Sequence, residues 1–233
     1  MRHGWTGQSS PDQAFTEPQR LPFDDRRDAG RRLAARLDRF RDRNAIVLGI
    51  PRGGVPVAAE VARALNAELD VIVARKLGAP HNPELAIGAA TANGGRWLND
   101  EIVHQLHVSP AYIAEVTTRE MAEAHRREHL FRAGRKPPVL AGRTVILVDD
   151  GLATGATMRA SARSVRTHDP ERLVIAVPVG APETCDELRN EADEVVCLAE
   201  PTPFYAVGLH YRDFGQTEDD EVVRLLQERA AAT

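Results

Sequence analysis

Cysteine and lysine are both scarce in this chain of 233 residues. Its two cysteines, Cys185 and Cys197, are too few for a disulfide scaffold and lack the close spacing of a metal-binding motif. We therefore expect two buried or half-buried thiols. Only two of the 30 basic residues are lysines, Lys76 and Lys136, and arginine supplies the rest. The bias draws attention to Lys76, which directly follows Arg75.

Long apolar runs and an excess of positive charge are also missing. No run approaches the roughly 20 residues that cross a bilayer, and the first residues, MRHGWTGQSSPDQAF, lack the apolar core of a signal peptide. We therefore expect a soluble, cytoplasmic protein without a membrane partner. The formal net charge of −4 argues against a strongly basic surface, so we do not expect a nucleic-acid partner.

The remaining composition is that of an ordinary globular protein, with 42% hydrophobic and 27% charged residues. Residues 1–20 are polar and rich in glycine, serine, proline and glutamine, which predicts a flexible N-terminal tail. The chain length suits one substantial domain, and we place it at residues 21–230.

Strand and helix patterns alternate along this domain. Short apolar runs such as NAIVLGI, ELDVIVAR, RTVILVDD and RLVIAVPVG predict buried strands, and amphipathic stretches between them predict helices. The segment KLGAPHNPELAIG has two prolines and two glycines, which favours an exposed loop that enters a strand near AIGAATA. The alternation predicts an α/β fold with a parallel sheet and helices on both faces.

A helical section interrupts this alternation at residues 99–135. Within it, Ser109 is a suitable N-cap and Pro110 suits a first helical turn, which together predict the start of a long helix. We expect this insertion to pack over one edge of the sheet as a partial cap. Residues 201–215 form an aromatic-rich connector before a last amphipathic helix.

Three turns between predicted elements are candidates for a binding site. They are PRGG at 51–54, RKLGAP at 75–80 and DDGLATGAT at 149–157. Ligands of parallel sheets bind beyond the carboxyl ends of the strands. We therefore expect the three turns to converge.

The turn DDGLATGAT has the character of an anion cradle beside two acids. Its small residues let backbone amides surround an anion at a helix N-terminus, and Thr154 and Thr157 offer hydroxyl donors. It is neither a Walker A loop nor a GxGxxG motif. Asp149 and Asp150 suit the neighbouring hydroxyls of a sugar, because carboxylates accept O–H donors. The turn therefore predicts binding of a ribose 5-phosphate group.

The run of four apolar residues, two acids, three variable residues and TGAT resembles the 5-phosphoribosyl 1-diphosphate (PRPP) signature of type I phosphoribosyltransferases. Segments like RKLGAPHNPELAIGA and FYAVGLHYRDF are shared with a bacterial group of predicted phosphoribosyltransferases. The resemblance covers about residues 21–230 as strand–helix order. It implies transfer of the 5-phosphoribosyl group to a nitrogen-containing acceptor, expected to be a nucleobase, with release of diphosphate. It also implies Mg²⁺, bound with PRPP, and a homodimer.

The same resemblance implies roles for the turn at 149–157. Asp149 and Asp150 would bind the ribose hydroxyls, and Mg²⁺ could reach either carboxylate through water. Five loop residues would hold the 5-phosphate: Ala153, Thr154, Gly155, Ala156 and Thr157.

The other two turns would serve the diphosphate. Arg52 would contact it, and Gly53 and Gly54 would let the backbone approach it closely. Taken alone, PRGG is more typical of a plain strand–helix turn. Arg75 and Lys76 would begin a mobile loop and stabilise charge on the departing diphosphate, with solvated charges at a strand end as the alternative.

The sequence does not identify the acceptor or the acid that would serve it. Hypoxanthine-type enzymes carry an additional acid within the three residues before TG, and residues 151–153 here are Gly, Leu and Ala. Glu84 is the candidate acid for this duty, although a structural glutamate beside Pro83 fits equally well. His81 is either a surface residue of the loop or a proton carrier.

A hood over the sheet contacts the acceptor in this family, and its candidates here are the insertion at 99–135 and the segment 201–215. Four aromatic side chains of that segment could stack on a planar acceptor, with core packing as the alternative: Phe204, Tyr205, Tyr211 and Phe214. A different class of function is also open. The chain could be a regulatory protein that senses PRPP or a nucleotide on the same fold without turnover.

Overall fold

The computed structural model describes residues 21–232, so the tail predicted for residues 1–20 lies outside the described residues. The architecture is α/β, with one five-stranded parallel sheet and one three-stranded antiparallel sheet. The strands are β1 (Ala45–Gly49), β2 (Glu68–Val71), β3 (Ala74–Ala79), β4 (Asn82–Thr91), β5 (Arg96–Leu98), β6 (Thr144–Val148), β7 (Arg172–Val179) and β8 (Glu194–Ala199).

Seven α-helices connect or flank these strands in the described part of the chain. They are α1 (Arg26–Arg36), α2 (Gly54–Leu65), α3 (Asp100–Gln105), α4 (Pro110–Arg132), α5 (Ala156–Arg166), α6 (Pro182–Leu188) and α7 (Asp219–Ala230). Within residues 21–232, no helix combines the length and the apolar character that a membrane crossing needs.

The five-stranded sheet has the order β2-β1-β6-β7-β8, and all of its pairs are parallel. The predicted parallel sheet is therefore confirmed. In the central pair, Gly49 at the end of β1 lies opposite Val148 at the end of β6. This register places the turns PRGG and DDGLATGAT side by side at one edge of the sheet.

Helices cover both faces of this sheet, as predicted. Alternate strand residues such as Val47 and Ile146 belong to a core that includes side chains of α1, α2 and α7. Their neighbours, such as Leu48 and Leu147, belong to a second core with Met158 of α5 and other side chains of α5 and α6. Because both faces are buried, these strands are continuous apolar runs.

The second sheet corrects two predictions. The single strand predicted for ELDVIVAR is divided, because β2 ends at Val71 and β3 begins at Ala74. The predicted loop KLGAPHNPELAIG is instead largely a hairpin of β3 and β4. The pairing shifts register around Gly78, and an added Cβ at Gly78 would lie 2.7 Å from the Pro83 carbonyl oxygen. The glycine and proline are therefore accommodated at an irregularity of the ladder.

The helical section predicted for residues 99–135 is confirmed by α3 and α4. Ser109 caps α4, since its hydroxyl accepts a hydrogen bond of 3.2 Å from the Tyr112 amide. α4 packs on β3, β4 and the edge strand β2. Arg132 fixes the contact with β2 through an ion pair of 3.0 Å with Asp70, and Glu128 of the same helix orients Arg132 at 2.8 Å. The insertion thus covers one edge of the sheet, as expected.

Candidate functional site

The turn after β1 and the two acids after β6 are in direct contact. A Cβ added at Gly53 would lie 2.0 Å from Oδ2 of Asp150, and one at Gly54 would lie 2.8 Å from Cα of Asp149. Glycine is required at both positions of the PRGG turn because a side chain there would meet the two acids. Two of the three candidate turns therefore converge.

Arg26, at the start of α1, completes this contact, and the sequence does not predict its role. Its Nε donates to Oδ2 of Asp150 at 2.8 Å, and its Nη1 donates to the Gly215 carbonyl at 2.6 Å. Its guanidinium carbon lies 3.9 Å from the ring centroid of Phe214. Since arginine is abundant in this helix, no local signal in the sequence distinguishes Arg26 from its neighbours.

The two acids are held in an unfavourable environment. Burial and the charge of Asp150 both raise the pKa of Asp149 well above its ordinary value. Burial also raises the pKa of Asp150, and the charge of Arg26 opposes this rise. Tyr211 supports the backbone of the acids, since its hydroxyl donates to the Asp150 carbonyl oxygen at 2.6 Å. The pair is therefore prepared to share a proton or to bind a cation or hydroxyl donors.

Replacement of Asp149 with asparagine is expected to stabilise the fold at neutral pH by about 1–2 kcal/mol. Asparagine can still accept the 2.9 Å hydrogen bond that the Asp150 amide donates to Oδ1, and it removes a buried like charge. The pKa of this acid is raised in the folded state, so its cost to stability grows as pH rises from about 4, the unfolded value, through the folded pKa. Urea unfolding at several pH values measures this change.

The gain should therefore be largest at neutral pH and vanish near pH 4, about the unfolded value. Asp186, an exposed residue of α6, offers the matched control, and Asp186→Asn should leave the pH dependence unchanged. If Asp149→Asn is no more stable than the wild type at neutral pH, the two neighbouring charges do not destabilise the fold as proposed.

The loop that follows the acids presents free amides at the start of α5. The carbonyl oxygens of Ala153 and Thr154 accept hydrogen bonds from Thr184 Oγ1 at 2.7 Å and Arg159 Nη1 at 2.6 Å. Gly155 has a φ of 68°, which glycine adopts readily. Within residues 21–232, the amides of residues 154–157 donate to no other protein group. The carbonyl groups of this loop are hydrogen-bonded to the protein, and its amides have no acceptor. An anion can therefore bind to these amides.

The segment RKLGAP, predicted as a third turn, instead belongs almost wholly to strand β3, and it lies across a cleft from this loop. The cleft has a volume of about 470 Å³, and Arg75, Lys76, Glu84 and Thr157 are among its lining residues. Arg75 is held by Glu120, with an Nη2–carboxylate distance of 3.0 Å, whereas Lys76 and Glu84 are exposed. The three predicted catalytic residues and the end of the predicted phosphate loop thus share one cleft.

His81 and Arg52 lie in other surroundings. His81 is exposed at the tip of the β3–β4 hairpin, with a φ of 62°. Arg52 points its Nη1 toward the start of α7, at 3.6 Å from Glu218 and 3.5 Å from Asp219. Such exposed ion pairs are worth about 0–1 kcal/mol, so a ligand can replace this one at small cost.

The four aromatic candidates of the hood segment separate into two kinds. Tyr205 is 78% exposed and Phe214 is 37% exposed. Tyr211 is 6% exposed, and its ring packs 5.4 Å from Phe23 and 5.0 Å from Phe214. Its predicted stacking role is corrected to core packing with a hydroxyl contact to Asp150. Phe204 is partly buried against the core.

Known proteins match most of this chain. Residues 24–213 match the family described as the phosphoribosyl transferase domain. Two relatives from Mycobacterium tuberculosis strains, "Putative phosphoribosyl transferase Rv0571c" and "Putative phosphoribosyl transferase MT0597", are each 50% identical over 204 residues. The match covers 88% of this chain and 46% of each relative. The chain therefore spans about half the length of these curated relatives.

A solved structure shows the same fold over nearly its whole length. The crystal structure of TT1426 from Thermus thermophilus is 43% identical and has a TM-score of 0.76. The match covers 89% of this chain and 99% of that protein. Together with the family match over residues 24–213, it shows that the chain belongs to the phosphoribosyltransferase family.

Proposed function

We propose that this chain transfers the 5-phosphoribosyl group from PRPP to a nitrogen atom of an acceptor, a nucleobase, and releases diphosphate. The observation that carries the proposal is the convergence at the carboxyl edge of the sheet. An acidic pair contacts a glycine turn on one side and leads into a loop of open amides on the other. These are complementary to the ribose, diphosphate and 5-phosphate parts of one ligand.

Each part of PRPP has a chemically matched surface in this arrangement. The open amides of residues 154–157 and the hydroxyls of the two threonines suit the 5-phosphate. Asp149 and Asp150 accept hydrogen bonds from the ribose hydroxyls. Because Arg26 occupies Oδ2 of Asp150, its other oxygen is the one left for the ligand.

Magnesium fits the same surface by charge. Burial and the charge of Asp150 raise the pKa of Asp149, and a divalent cation would offset the repulsion between the two acids. Carboxylate and diphosphate oxygens are ligands that Mg²⁺ prefers, and it commonly keeps several waters. Asp149 or Asp150 would therefore hold Mg²⁺ through water, and the ion would neutralise charge on the diphosphate.

The chain's side chains would then assist one substitution at C1 of the ribose. A bond forms between the acceptor nitrogen and C1, the C1–O bond breaks, and its electron pair leaves with diphosphate. Lys76 and Arg75 border the cleft where this negative charge develops. Glu84 lines the same cleft and is the candidate to take the proton from the acceptor nitrogen.

A screen for diphosphate release tests the proposal and Lys76 together. With PRPP, Mg²⁺ and a panel of purine and pyrimidine bases, we expect release with one class of base. Lys76→Met should reduce the rate by about 100-fold or more, because it removes a cation from the site of developing charge. Lys136→Met replaces the chain's other lysine and should leave the rate unchanged.

Different results of this screen would contradict different parts of the proposal. Tight PRPP binding without release in the presence of any base would favour the sensing protein over the enzyme. Failure to bind PRPP at all would overturn the transferase and leave only a sensor of some other nucleotide. Equal rates for wild-type protein and Lys76→Met would remove Lys76 from the catalytic assignment.

A further inference from the structure

The two cysteines of this chain meet each other in the fold beside a carboxylate. Cys185 belongs to α6, Cys197 belongs to β8, and Glu200 follows β8. Both sulfur atoms and one carboxylate oxygen of Glu200 lie within 4.8 Å of one another. No local sequence motif predicts this cluster, because its members come from a helix, a strand and the loop after that strand.

The surroundings of the two sulfurs are closely packed. A Cβ added at Gly180 would lie 2.6 Å from Sγ of Cys185 and 3.5 Å from Sγ of Cys197. Cys185 is buried, Cys197 is half-buried and Glu200 is exposed, so the cluster extends from the core to the surface.

We propose that Cys185, Cys197 and Glu200 bind a divalent thiophilic cation of the Zn²⁺ type. Two thiolates and one carboxylate are a ligand set that Zn²⁺ takes, with a solvent molecule in the fourth position. Zn–S bonds of about 2.3 Å place tetrahedral ligands about 3.8 Å apart. The three ligand atoms already lie within 4.8 Å of one another, so side-chain movements of about 1 Å are enough to reach this geometry. Binding displaces one proton from each thiol into solvent.

This cluster lies close to the proposed phosphate loop and shares no residue with it. α6 also carries Thr184, whose hydroxyl holds the Ala153 carbonyl at 2.7 Å. The Ala181 amide, just before α6, donates to the Leu152 carbonyl at 2.9 Å. A bound cation would tie α6 to β8 and so support the base of that loop. Cation binding is nevertheless measured without PRPP, so it stands or fails independently of the proposed transferase activity.

Cobalt titration of the full chain tests the proposal. Protein freed of metal by a chelator and kept reduced should bind one equivalent of Co²⁺, with thiolate-to-cobalt charge-transfer absorption that Zn²⁺ then abolishes. Cys197→Ser should eliminate that absorption. Glu200→Gln should lower the affinity roughly 10-fold or more. Glu183→Gln, at an exposed position of α6, serves as the matched control and should bind Co²⁺ like the wild type.

Four results would count against the site. The charge-transfer absorption could be absent at one equivalent although a thiol count shows both cysteines reduced. It could persist in Cys197→Ser, or the two cysteines could form a disulfide that survives reduction. Binding of Co²⁺ without the thiolate absorption reports histidines and also counts against the proposal. Should Cys197→Ser not fold, Glu200→Gln decides alone, because Glu200 is exposed.

Discussion

Replacement of Asp150 with asparagine should weaken the binding of Mg²⁺-PRPP by about 10- to 100-fold. The side chain of Asp150 is only 15% exposed, and its charge is paired with Arg26 at 2.8 Å. Asparagine keeps the size of the side chain and removes the charge. The ribose hydroxyls then lose a charged acceptor, and a hydrogen bond to such an acceptor is worth about 1.5–3 kcal/mol.

Calorimetric titration with PRPP and Mg²⁺ measures this change, with thermal unfolding to show that the variant is folded. Asp186→Asn removes an exposed carboxylate of α6 and should bind PRPP like the wild type. An unchanged dissociation constant in folded Asp150→Asn would remove the ribose assignment from this turn.

The parts of the molecule that the sequence predicts well are those with local causes. The parallel sheet follows from strands that are apolar throughout, and α4 follows from a serine cap before a proline. The PRPP-like turn is also local, because a strand end, two acids and a small-residue helix start are consecutive. Its contact with PRGG was expected from the rule that strand ends meet at one edge.

Features that depend on distant pairing were not predicted. The β3–β4 hairpin contains prolines and glycines that locally favour a loop, and only the pairing of the strands overrides them. Arg26 meets Asp150 across 124 positions of sequence, so no spacing could reveal it. Tyr211 is aromatic, so its sequence alone allows either stacking on a ligand or packing in the core. The fold decides for packing, because Phe23 and Phe214 lie against its ring.

A single methyl group at Gly53 should reduce PRPP affinity and any transferase rate by about 100-fold. The added Cβ would lie 2.0 Å from Oδ2 of Asp150 and 3.1 Å from Nε of Arg26. Gly53 has a φ of −60° and a ψ of −31°, which alanine adopts without strain. The effect of Gly53→Ala therefore comes from the clash, which displaces the Asp150 carboxylate and breaks its pair with Arg26.

Gly142→Ala provides the opposite control. Gly142 has a φ of 68° and no atom within 4 Å of an added Cβ, so its replacement strains the backbone without a clash. This variant should lose some stability, about 1 kcal/mol, and keep PRPP affinity. Wild-type PRPP affinity in folded Gly53→Ala would show that the contact between the glycine turn and Asp150 is not needed for binding.

A second substitution separates displacement of Asp150 from general damage to the turn. In the variant Gly53→Ala with Asp150→Gly, the carboxylate atoms that the added methyl meets are gone, and the flexible Arg26 side chain, with Nε at 3.1 Å, is the close neighbour that remains. We expect the double variant to be more stable than the two single effects predict, as contacting residues are not additive. Its PRPP affinity should stay low, since the ribose acceptor is missing. If stability recovers and affinity does not, Gly53 serves PRPP binding by leaving space for the Asp150 carboxylate.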